Sequence, residues 1–528
     1  MKKILALFFA IVSFSQVMAR PDITWNLPVT LSSVGVNASD PRVVMDSSGN
    51  VTAAWVESGV IKAVMQPVGG SFGTPITISN TGSSSPRLAV DPSGNVTAIW
   101  LESGVVSSAT HPFGGSWSAE VAVSSSTATT PALVVDSSGN AIAIWQRSNT
   151  IETATKLSGG AWGSVSVLSS SNSDNPALAV GGTTAVAVWH NVLSGADILQ
   201  FSKQTVGGSW STAANMFNVT PGFSHNFPSV AVDPKGNATA VWYRYTLQDG
   251  TFTGVITLST QLASGATNWG ALPTLISNSF PPGLEDDVSK FFTKVKTDPN
   301  GNVIAVWLES TDASNYFWEA NVKPFNGNWA TSAFITAPGL YRYGVDLAVN
   351  ALGDALMGYM SFDGTNLNIQ TTEAEIAGNA TFVAFTAPIT ISQGTDNGFP
   401  KVATDLNGTT VFGAAVWLQF DGSETVVQAA TGSRSTIAAP TNVTVTQSST
   451  NFGVFTDFFN TVNWTASTSP NIIQYFVYRN GIFFQAIDAT APLQVVDHNA
   501  VQNGAVTYGV SAVDAQNTQS LITTQSFP

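Results

Sequence analysis

A ten-residue signature that recurs along most of this chain constrains its fold more than any other feature. In one copy the apolar run Leu88–Val90 ends at Asp91, a Pro-Ser-Gly-Asn turn follows, and a second apolar run, Val96–Trp100, begins. Asp, Pro and Gly at these positions are typical of a type I turn followed by a left-handed residue, which joins two antiparallel strands. The second strand is apolar on both faces, so we expect other sheets to cover both.

The signature recurs often enough to divide the chain into units. Its tryptophans are 45, 45 and 44 residues apart at first and 52 to 65 apart later, with Tyr359 as a substitute once. The fourth unit keeps Gly181-Gly182, a good two-residue hairpin turn, in place of the Asp turn. We count eight units, with signature aromatics at Trp55, Trp100, Trp145, Trp189, Trp242, Trp307, Tyr359 and Trp417.

Each unit reads as four short strands, because a Gly-rich turn and a second aromatic, as in Gly114–Trp117, open a further strand. This pattern predicts an all-β fold, an eight-bladed β-propeller of four-stranded blades, with seven blades as the alternative count. The last unit lacks an obvious fourth strand, and Ile23–Leu31 resembles one. We therefore expect a propeller over residues 20–430, with the N-terminal strand closing the last blade.

The apolar-Asp-Pro-x-Gly-Asn turn resembles that of NHL-type and related bacterial propeller repeats. The resemblance covers about ten residues in each unit and implies the propeller class rather than a particular member. It differs from the Asp-box of sialidase-like propellers, in which Asp lies closer to the aromatic residue than the nine positions between Asp91 and Trp100. No sialidase activity follows from it.

The pattern changes near Ala439, and residues 439–528 resemble a fibronectin type III β-sandwich. The resemblance implies that Trp464 is the core tryptophan of the second strand and that Tyr475 packs in the third. Val506 stands where the family often has its corner tyrosine, so that hydrogen bond is expected to be missing. Residues 431–438 are the expected linker.

Residues 1–19 have the pattern of a secretory signal peptide. Lys2 and Lys3 precede the apolar stretch Ile4–Phe14, and Val17–Ala19 matches a small-residue cleavage site. We expect an exported bacterial protein, extracellular, on the cell surface or in the periplasm. No later stretch is apolar for long enough to span a bilayer, so no membrane insertion is expected.

Composition excludes several chemistries. The chain has no cysteine, which removes disulfides, thiolate metal sites and cysteine nucleophiles. Its net charge of −14 disfavours nucleic acid and anionic membranes as partners. We expect a monomer without cofactor or metal, whose partner is a protein or glycan ligand.

The candidate ligand site is a ring of residues that follow the proline at the start of each first strand. Because a first strand lines the channel of a closed propeller, these residues predict a mostly basic ring that binds a carboxylate or phosphate group. The alternative is that they are solvated residues at strand starts. The ring positions hold Arg42, Arg87, Ala132, Ala177, Ser229, Lys294, Asp346 and Lys401.

Three other features have structural alternatives. Glu57 and Glu102 follow signature tryptophans by two residues and could act as a carboxylate pair. Equivalent positions hold Arg147, Asn191, Arg244 and Glu309, and such variety is typical of an exposed site that tolerates substitution.

The Asp turns could bind calcium, but each loop offers few oxygens, so we expect each Asp to cap its own turn. Trp318 is off-pattern and is a candidate ligand-binding aromatic.

No catalytic motif is present. His111, His190, His225 and His498 lie at unrelated repeat positions, which argues against a shared metal site. The leading hypothesis is an exported binding or adhesion protein without catalytic residues, whose propeller face binds a glycan, peptide or protein. The alternative is a polysaccharide-acting propeller enzyme, a glycoside hydrolase or lyase, with its site at the channel mouth.

Overall fold

The computed structural model describes residues 23–527 except for several gaps, and the signal segment and the Asp405 turn lie outside the described residues. The gaps are 126, 194–195, 219–221, 249–250, 270–272, 278–292, 313–314, 337–343, 376–384, 395, 405–410, 434–436, 454–455, 481, 499, 503, 516–519 and 521. The chain divides into two compact units, Trp25–Ser433 and a C-terminal unit that begins at Arg434. Within these described residues no helix is long and apolar enough to span a membrane.

The larger unit is built from antiparallel sheets of four consecutive strands. Sheets 1 to 4 are β3–β6 (Ala38–Met45, Val51–Glu57, Val60–Gln66, Ile76–Thr77), β7–β10 (Ser83–Val90, Val96–Glu102, Val105–His111, Val121–Ala122), β11–β14 (Thr129–Val135, Ala141–Arg147, Thr150–Lys156, Ser166–Val167) and β15–β18 (Ser173–Gly181, Thr184–Leu193, Ala196–Thr205, Ala214–Asn215). Sheets 5 to 7 are β19–β22 (Ser224–Val232, Ala238–Gln248, Thr251–Leu262, Thr274–Leu275), β23–β26 (Thr293–Thr297, Val303–Asp312, Asn315–Lys323, Ala333–Phe334) and β27–β30 (Val345–Val349, Asp354–Phe362, Leu367–Glu375, Ile389–Thr390).

Sheet 8 combines the two ends of this unit. It contains β31 (Asn397–Thr404), β32 (Val411–Phe420) and β33 (Thr425–Ser433), and its outer edge is formed by β1 (Thr24–Trp25) and β2 (Val29–Thr30). Val29 and Thr30 pair with Ala429 and Gln428 of β33. The N-terminal segment therefore supplies the strand that the last repeat lacks.

The first strands of successive sheets contact one another in a closed circuit. β3 contacts β7, and the series continues through β11, β15, β19, β23, β27 and β31 back to β3. Such a circuit leaves no sheet at an open end, and it places the first strands around a central channel. The predicted all-β architecture of repeated four-stranded sheets is confirmed.

The signature tryptophans form the core between sheets. Trp100 is fully buried and packs with Ala54 and Ile61 of the preceding sheet, and Trp145 packs with Ile99 in the same way. Several indole N–H groups donate to a buried acceptor at the same end of the strands: Trp55 to Glu57, Trp145 to Glu152, Trp242 to His225, Trp307 to Glu319 and Trp417 to Asn397, at 3.0–3.1 Å. These polar residues thus provide hydrogen-bond acceptors for the buried indole N–H groups of these tryptophans.

The recurring Asp caps its own turn, as expected. Asp91 Oδ1 accepts hydrogen bonds from the backbone N–H groups of Ser93 and Asn95, both at 2.9 Å, and Asp91 Oδ2 accepts one from Asn95 Nδ2 at 2.8 Å. Asn95 Oδ1 in turn accepts a hydrogen bond from the backbone N–H of Phe113 at 3.0 Å. The Asp–Asn pair thus joins two hairpin loops of one sheet, and its oxygens are engaged in protein hydrogen bonds.

The C-terminal unit is a two-sheet sandwich. One sheet has the order β34–β35–β38 (Thr441–Asn451, Thr456–Thr465, Gln494–Asp497), and the other β37–β36–β39–β40 (Ile482–Asp488, Ile472–Arg479, Val506–Asp514, Thr523–Phe527). Trp464 and Tyr475 pack in the shared core with ring centroids 5.7 Å apart. Tyr508, two residues after Val506, is buried, and its hydroxyl donates a hydrogen bond to Asp497.

Candidate functional site

Titratable side chains of sheets 4 and 5 meet at one end of the first and second strands. In the strand register, Asp174 of β15 lies opposite His190 of β16, and His225 of β19 lies opposite Arg244 of β20. Tyr245 follows Arg244 on the same strand. Because β15 and β19 contact each other, these groups form one cluster at a mouth of the channel, which we call the mouth cluster: Asp174, His190, Asp197, His225, Arg244 and Tyr245.

A β-bulge precedes the proline in the first strands of both sheets and fixes the direction of these side chains. The register shifts between Asp174 and Ala177 and between Asn226 and Ser229. The residue before each proline has a positive φ, 48° at Asn175 and 54° at Phe227. A positive φ before the proline recurs at Asp40, Ser85, Thr130 and Phe399. The bulge is therefore a general feature of the repeat, whereas the titratable side chains of the mouth cluster are particular to sheets 4 and 5.

His190 lies between two carboxylates. Its Nδ1 is 2.8 Å from Asp174 Oδ1, and its Nε2 is 3.5 Å from Asp197 Oδ1. Burial alone lowers the pKa of His190, but the hydrogen bond and charge of Asp174, with the charge of Asp197, outweigh it and raise the pKa above 6.5. His190 is therefore suited to take up and release a proton near neutral pH.

His225 has the opposite character. Its Nδ1 accepts a hydrogen bond from Trp242 Nε1 at 3.0 Å, which places the ring proton on Nε2. Burial, and after it the charge of Arg244, lowers the pKa of His225 to about 4, so the ring is neutral at neutral pH. Nε2 is buried without a hydrogen-bond partner in the described part of the chain.

Arg244 and Tyr245 complete the mouth cluster. The Arg244 guanidinium lies over the Phe223 ring, 4.5 Å from its centroid, and the side chain is half-buried. Burial raises the pKa of Tyr245 above 10, so its hydroxyl keeps its proton at neutral pH. The cluster thus combines a cation, a proton-exchanging histidine and a protonated phenol.

The ring positions named from the sequence occupy equivalent places in the channel. Arg42, Arg87, Lys294 and Lys401 lie opposite Ala54, Ile99, Val306 and Val416 of their second strands, and Asp346 lies opposite Gly358. Sheets 3 to 5 place Ala132, Ala177 and Ser229 there. The channel wall is therefore basic on one side and small and neutral beneath the mouth cluster.

The rim carboxylates have separate structural partners. Glu57 is buried and accepts hydrogen bonds from Ser33 N at 2.9 Å, Ser33 Oγ at 2.8 Å and Trp55 Nε1 at 3.1 Å. Glu102 lies beside Glu120 and shares a hydrogen bond with it. This bond lowers the pKa of Glu102. Burial, and after it the same hydrogen bond, raises the pKa of Glu120. Arg147 pairs with Glu152 at 2.7 Å. The structure does not bring Glu57 and Glu102 together as a pair, and the side chain of Glu309 lies outside the described residues.

Trp318, named from the sequence as a candidate ligand-binding aromatic, lies in the core of the larger unit. Its side chain is fully buried and packs with Val306 and Tyr359 in the core between sheets 6 and 7. This position fits a packing role rather than the ligand-binding role that we expected.

The four histidines do not form one site. His111 packs against Trp117, and His498 pairs with Asp457 in the C-terminal unit, while His190 and His225 meet in the mouth cluster. Across the described ranges no group of three or more His, Asp or Glu side chains is arranged to hold a metal ion.

Sequence reasoning missed the mouth cluster because it compared single repeat positions. His190 follows Trp189 directly, and Arg244 follows Trp242 by two residues, so both lie where second strands end. His225 and Asp174 both lie just before the proline of a first strand. A comparison of the polar residues at the strand ends of neighbouring units, instead of the residues at equivalent repeat positions, would have found the cluster.

No family model and no curated protein matches this chain, but it is similar to several solved structures. It resembles an ulvan lyase of polysaccharide lyase family PL25 (8% identity, 76% of this chain and 95% of that one, TM-score 0.46). A second polysaccharide lyase (9%, 66% and 90%, 0.38) and the α-L-arabinanase of Penicillium chrysogenum (11%, 66% and 98%, 0.37) are also similar. The closed circuit of repeated four-stranded sheets makes the larger unit a β-propeller-type fold.

These comparisons correct the leading functional hypothesis. The solved structures that resemble the chain include polysaccharide lyases, an arabinanase and a sialidase, and this finding corrects the expectation of a binding or adhesion protein. The alternative, an enzyme that acts on polysaccharide, is the better supported. At identities of 8–12% the likeness concerns the fold, and the side chains must carry the chemistry.

Proposed function

We propose that the chain cleaves an acidic polysaccharide by β-elimination, with the mouth cluster as its active site. The observation that carries the proposal is His190 held between Asp174 and Asp197, within electrostatic reach of His225 beside Arg244. Elimination next to a uronate needs a cation for the substrate carboxylate, a base for the adjacent carbon-bound proton and an acid for the leaving oxygen. The cluster contains one group for each task.

Each residue then has a definite role. Arg244 binds the uronate carboxylate, and His225, neutral with its proton on Nε2, donates a hydrogen bond as negative charge develops there. His190 removes the proton from carbon through Nε2, while Asp174 holds its Nδ1 proton. Tyr245 donates its proton to the leaving oxygen. His190 Nε2 is covered in this structure, so Asp197 must turn away when substrate binds.

The test is a turnover assay on the purified protein with a panel of uronate-containing and neutral polysaccharides. We expect new reducing ends and, in parallel, the ultraviolet absorbance of an unsaturated uronyl product, with acidic substrates alone. Reducing ends without that absorbance would mean hydrolysis and would contradict elimination. Absence of turnover on all substrates would contradict the proposal as a whole.

The substitution Arg244→Gln tests whether Arg244 binds the substrate or only stabilises the fold. Because the guanidinium is half-buried over Phe223 and is the cation of the cluster, we expect KM for acidic substrate to rise and kcat to fall, with folding retained. Arg147→Gln is the matched control, since Arg147 occupies the equivalent rim position of sheet 3 and pairs with Glu152. Equal effects of the two substitutions would remove Arg244 from the site.

We further propose an eight-bladed propeller, a fibronectin type III identity for the C-terminal sandwich, and export after cleavage near residue 19. Eight sheets in one circuit support the first, and the sheet orders with Trp464 in the core support the second. The charged start and apolar stretch of residues 1–19 support the third. Mass spectrometry of the exported protein would identify the mature N-terminus.

A further inference from the structure

The channel contains a group of cations that lack direct neutralisation. We call it the channel cluster: Arg42, Arg87, Lys294 and Lys401, from sheets 1, 2, 6 and 8. Its positions lie on other sheets than the mouth cluster and are offset from it along the strands by two residues of a second strand, as Val188, opposite Ala177, is from His190, opposite Asp174, a distance of about 7 Å. It is therefore a separate place in the fold.

The four cations are close enough to repel one another. Burial lowers the pKa of Lys401 to about 7, with repulsion from Arg42, Lys294 and Arg87 acting against the attraction of Asp346. Burial and then the charge of Arg42 lower the pKa of Arg87 to about 9. Like charges held together in a partly enclosed channel destabilise their charged forms, so the cluster by itself is electrostatically unfavourable.

The acids nearby compensate this charge only in part. Asp346 and Asp40 act on the cluster through their charges, yet within the described ranges neither forms an ion pair with it within 4.0 Å. Asp346 Oδ2 instead accepts a hydrogen bond from Val402 N at 3.2 Å. The cluster therefore has a net positive charge.

Most donors of the cluster remain available. Arg42 Nη1 and Arg87 Nη1 each donate to the carbonyl oxygen of the preceding proline at 2.8 Å, and Lys401 Nζ does so at 3.2 Å. These bonds hold each cation at its own strand. A guanidinium has five N–H donors and an ammonium three, so most of them are left for a ligand in the channel.

We propose that the channel cluster is a binding site for an oxyanion of the sulfate type. Two guanidinium groups offer the paired N–H donors that fit oxyanions, and two ammonium groups add charge. The anion is either free sulfate or a sulfate ester on a glycan that enters the channel. The proposal does not rest on the proposed reaction, because binding is measured without turnover.

The experiment is calorimetric titration of the full chain with sodium sulfate, against sodium chloride at matched ionic strength, and with a sulfated oligosaccharide and its desulfated form. We expect saturable binding of sulfate, of the sulfated oligosaccharide, or of both, and none of chloride or the desulfated form. Binding of the oligosaccharide alone identifies the ester as the source. Absence of saturable binding in all arms would overturn the proposal.

Variants distinguish a binding site from a structural one. Arg87→Gln with Lys401→Met should weaken sulfate binding at least tenfold, while Lys62→Met, which removes a cation from the third strand of sheet 1, should not. Without sulfate the double variant should unfold at an unchanged or higher Tm, because repulsion is relieved; a lower Tm with unchanged affinity would overturn the proposal. If the double variant does not fold, Lys294→Met replaces it with the same expectations.

The pH dependence provides an independent readout. The groups acting on Lys401 are Asp346, Arg42, Lys294 and Arg87, and loss of the Lys401 proton as pH rises through about 7 removes a positive charge. Sulfate does not titrate in this range, so its affinity should fall across that interval. An affinity that stays constant from mildly acidic to mildly alkaline pH would contradict the role of Lys401.

Discussion

His190 Nδ1 lies 2.8 Å from Asp174 Oδ1, and the pair joins the first and second strands of sheet 4 just before a β-bulge. The interaction is thus fixed by backbone register on both sides. Asp197, from the third strand, approaches the other ring nitrogen at 3.5 Å. One sheet therefore supplies a histidine and both carboxylates that set its proton affinity.

Asp174→Asn keeps the shape of this side chain and removes its charge. We expect kcat on an acidic polysaccharide to fall by about 10²-fold or more. The limb of the pH–rate profile that reports deprotonation of His190 should move to lower pH, because Asp174 raises the pKa of His190. Asp457→Asn is the matched control, since Asp457 pairs with His498 at 3.0 Å in the C-terminal unit. An unmoved pH limb would contradict the role of Asp174.

His225 makes stability depend on pH in a defined direction. The unfolded chain binds a proton near pH 6.5, whereas in the folded chain the pKa of His225 is about 4. Stability from this residue is therefore present above pH 6.5 and lost as pH falls toward 4, by about 3 kcal/mol in the free energy of unfolding. Denaturant unfolding at both pH values measures the loss.

His225→Gln, which keeps an acceptor for Trp242, should remove this part of the pH dependence. The comparison isolates His225 because other titrating groups are common to both chains. If the variant loses as much stability as the wild type over the same pH interval, the low pKa of His225 is wrong.

Glu57→Gln should affect stability and not turnover. Glu57 is buried and accepts three hydrogen bonds from Ser33 and Trp55, so a neutral amide that cannot accept all three costs about 1–3 kcal/mol in the free energy of unfolding. Thermal and denaturant unfolding measure this cost, and kcat should be unchanged. A large loss of kcat at full stability would restore Glu57 as a catalytic candidate.

Asp91→Ala tests the role of the signature turn. The substitution leaves the N–H groups of Ser93 and Asn95 without their acceptor, which should cost about 1–3 kcal/mol in the free energy of unfolding. Ser93→Ala, at an exposed position of the same turn, is the control and should have little effect. Addition of a chelator should leave the Tm of the wild type unchanged; a chelator-dependent Tm would favour calcium binding by the loops.

The sequence by itself determined the repeated sheet, because the information that specifies it is local. Asp91, Gly94 and Asn95 specify a turn through hydrogen bonds within five residues, and the apolar run to Trp100 specifies a strand covered on both faces. These interactions recur at regular spacing, so they are visible along a single chain. The regular spacing also made it possible to predict from the sequence that Arg42 and Lys401 occupy equivalent positions in the channel.

Only the tertiary structure decided which polar residues meet. His190 and His225 are far apart in the chain and at different repeat positions, and they come together because neighbouring first strands contact each other at the same end. Trp318 resembled a loop aromatic in the sequence, yet the packing of sheets 6 and 7 buries it. Local spacing specifies each sheet, whereas the closing of the ring determines which side chains of different sheets share one mouth of the channel.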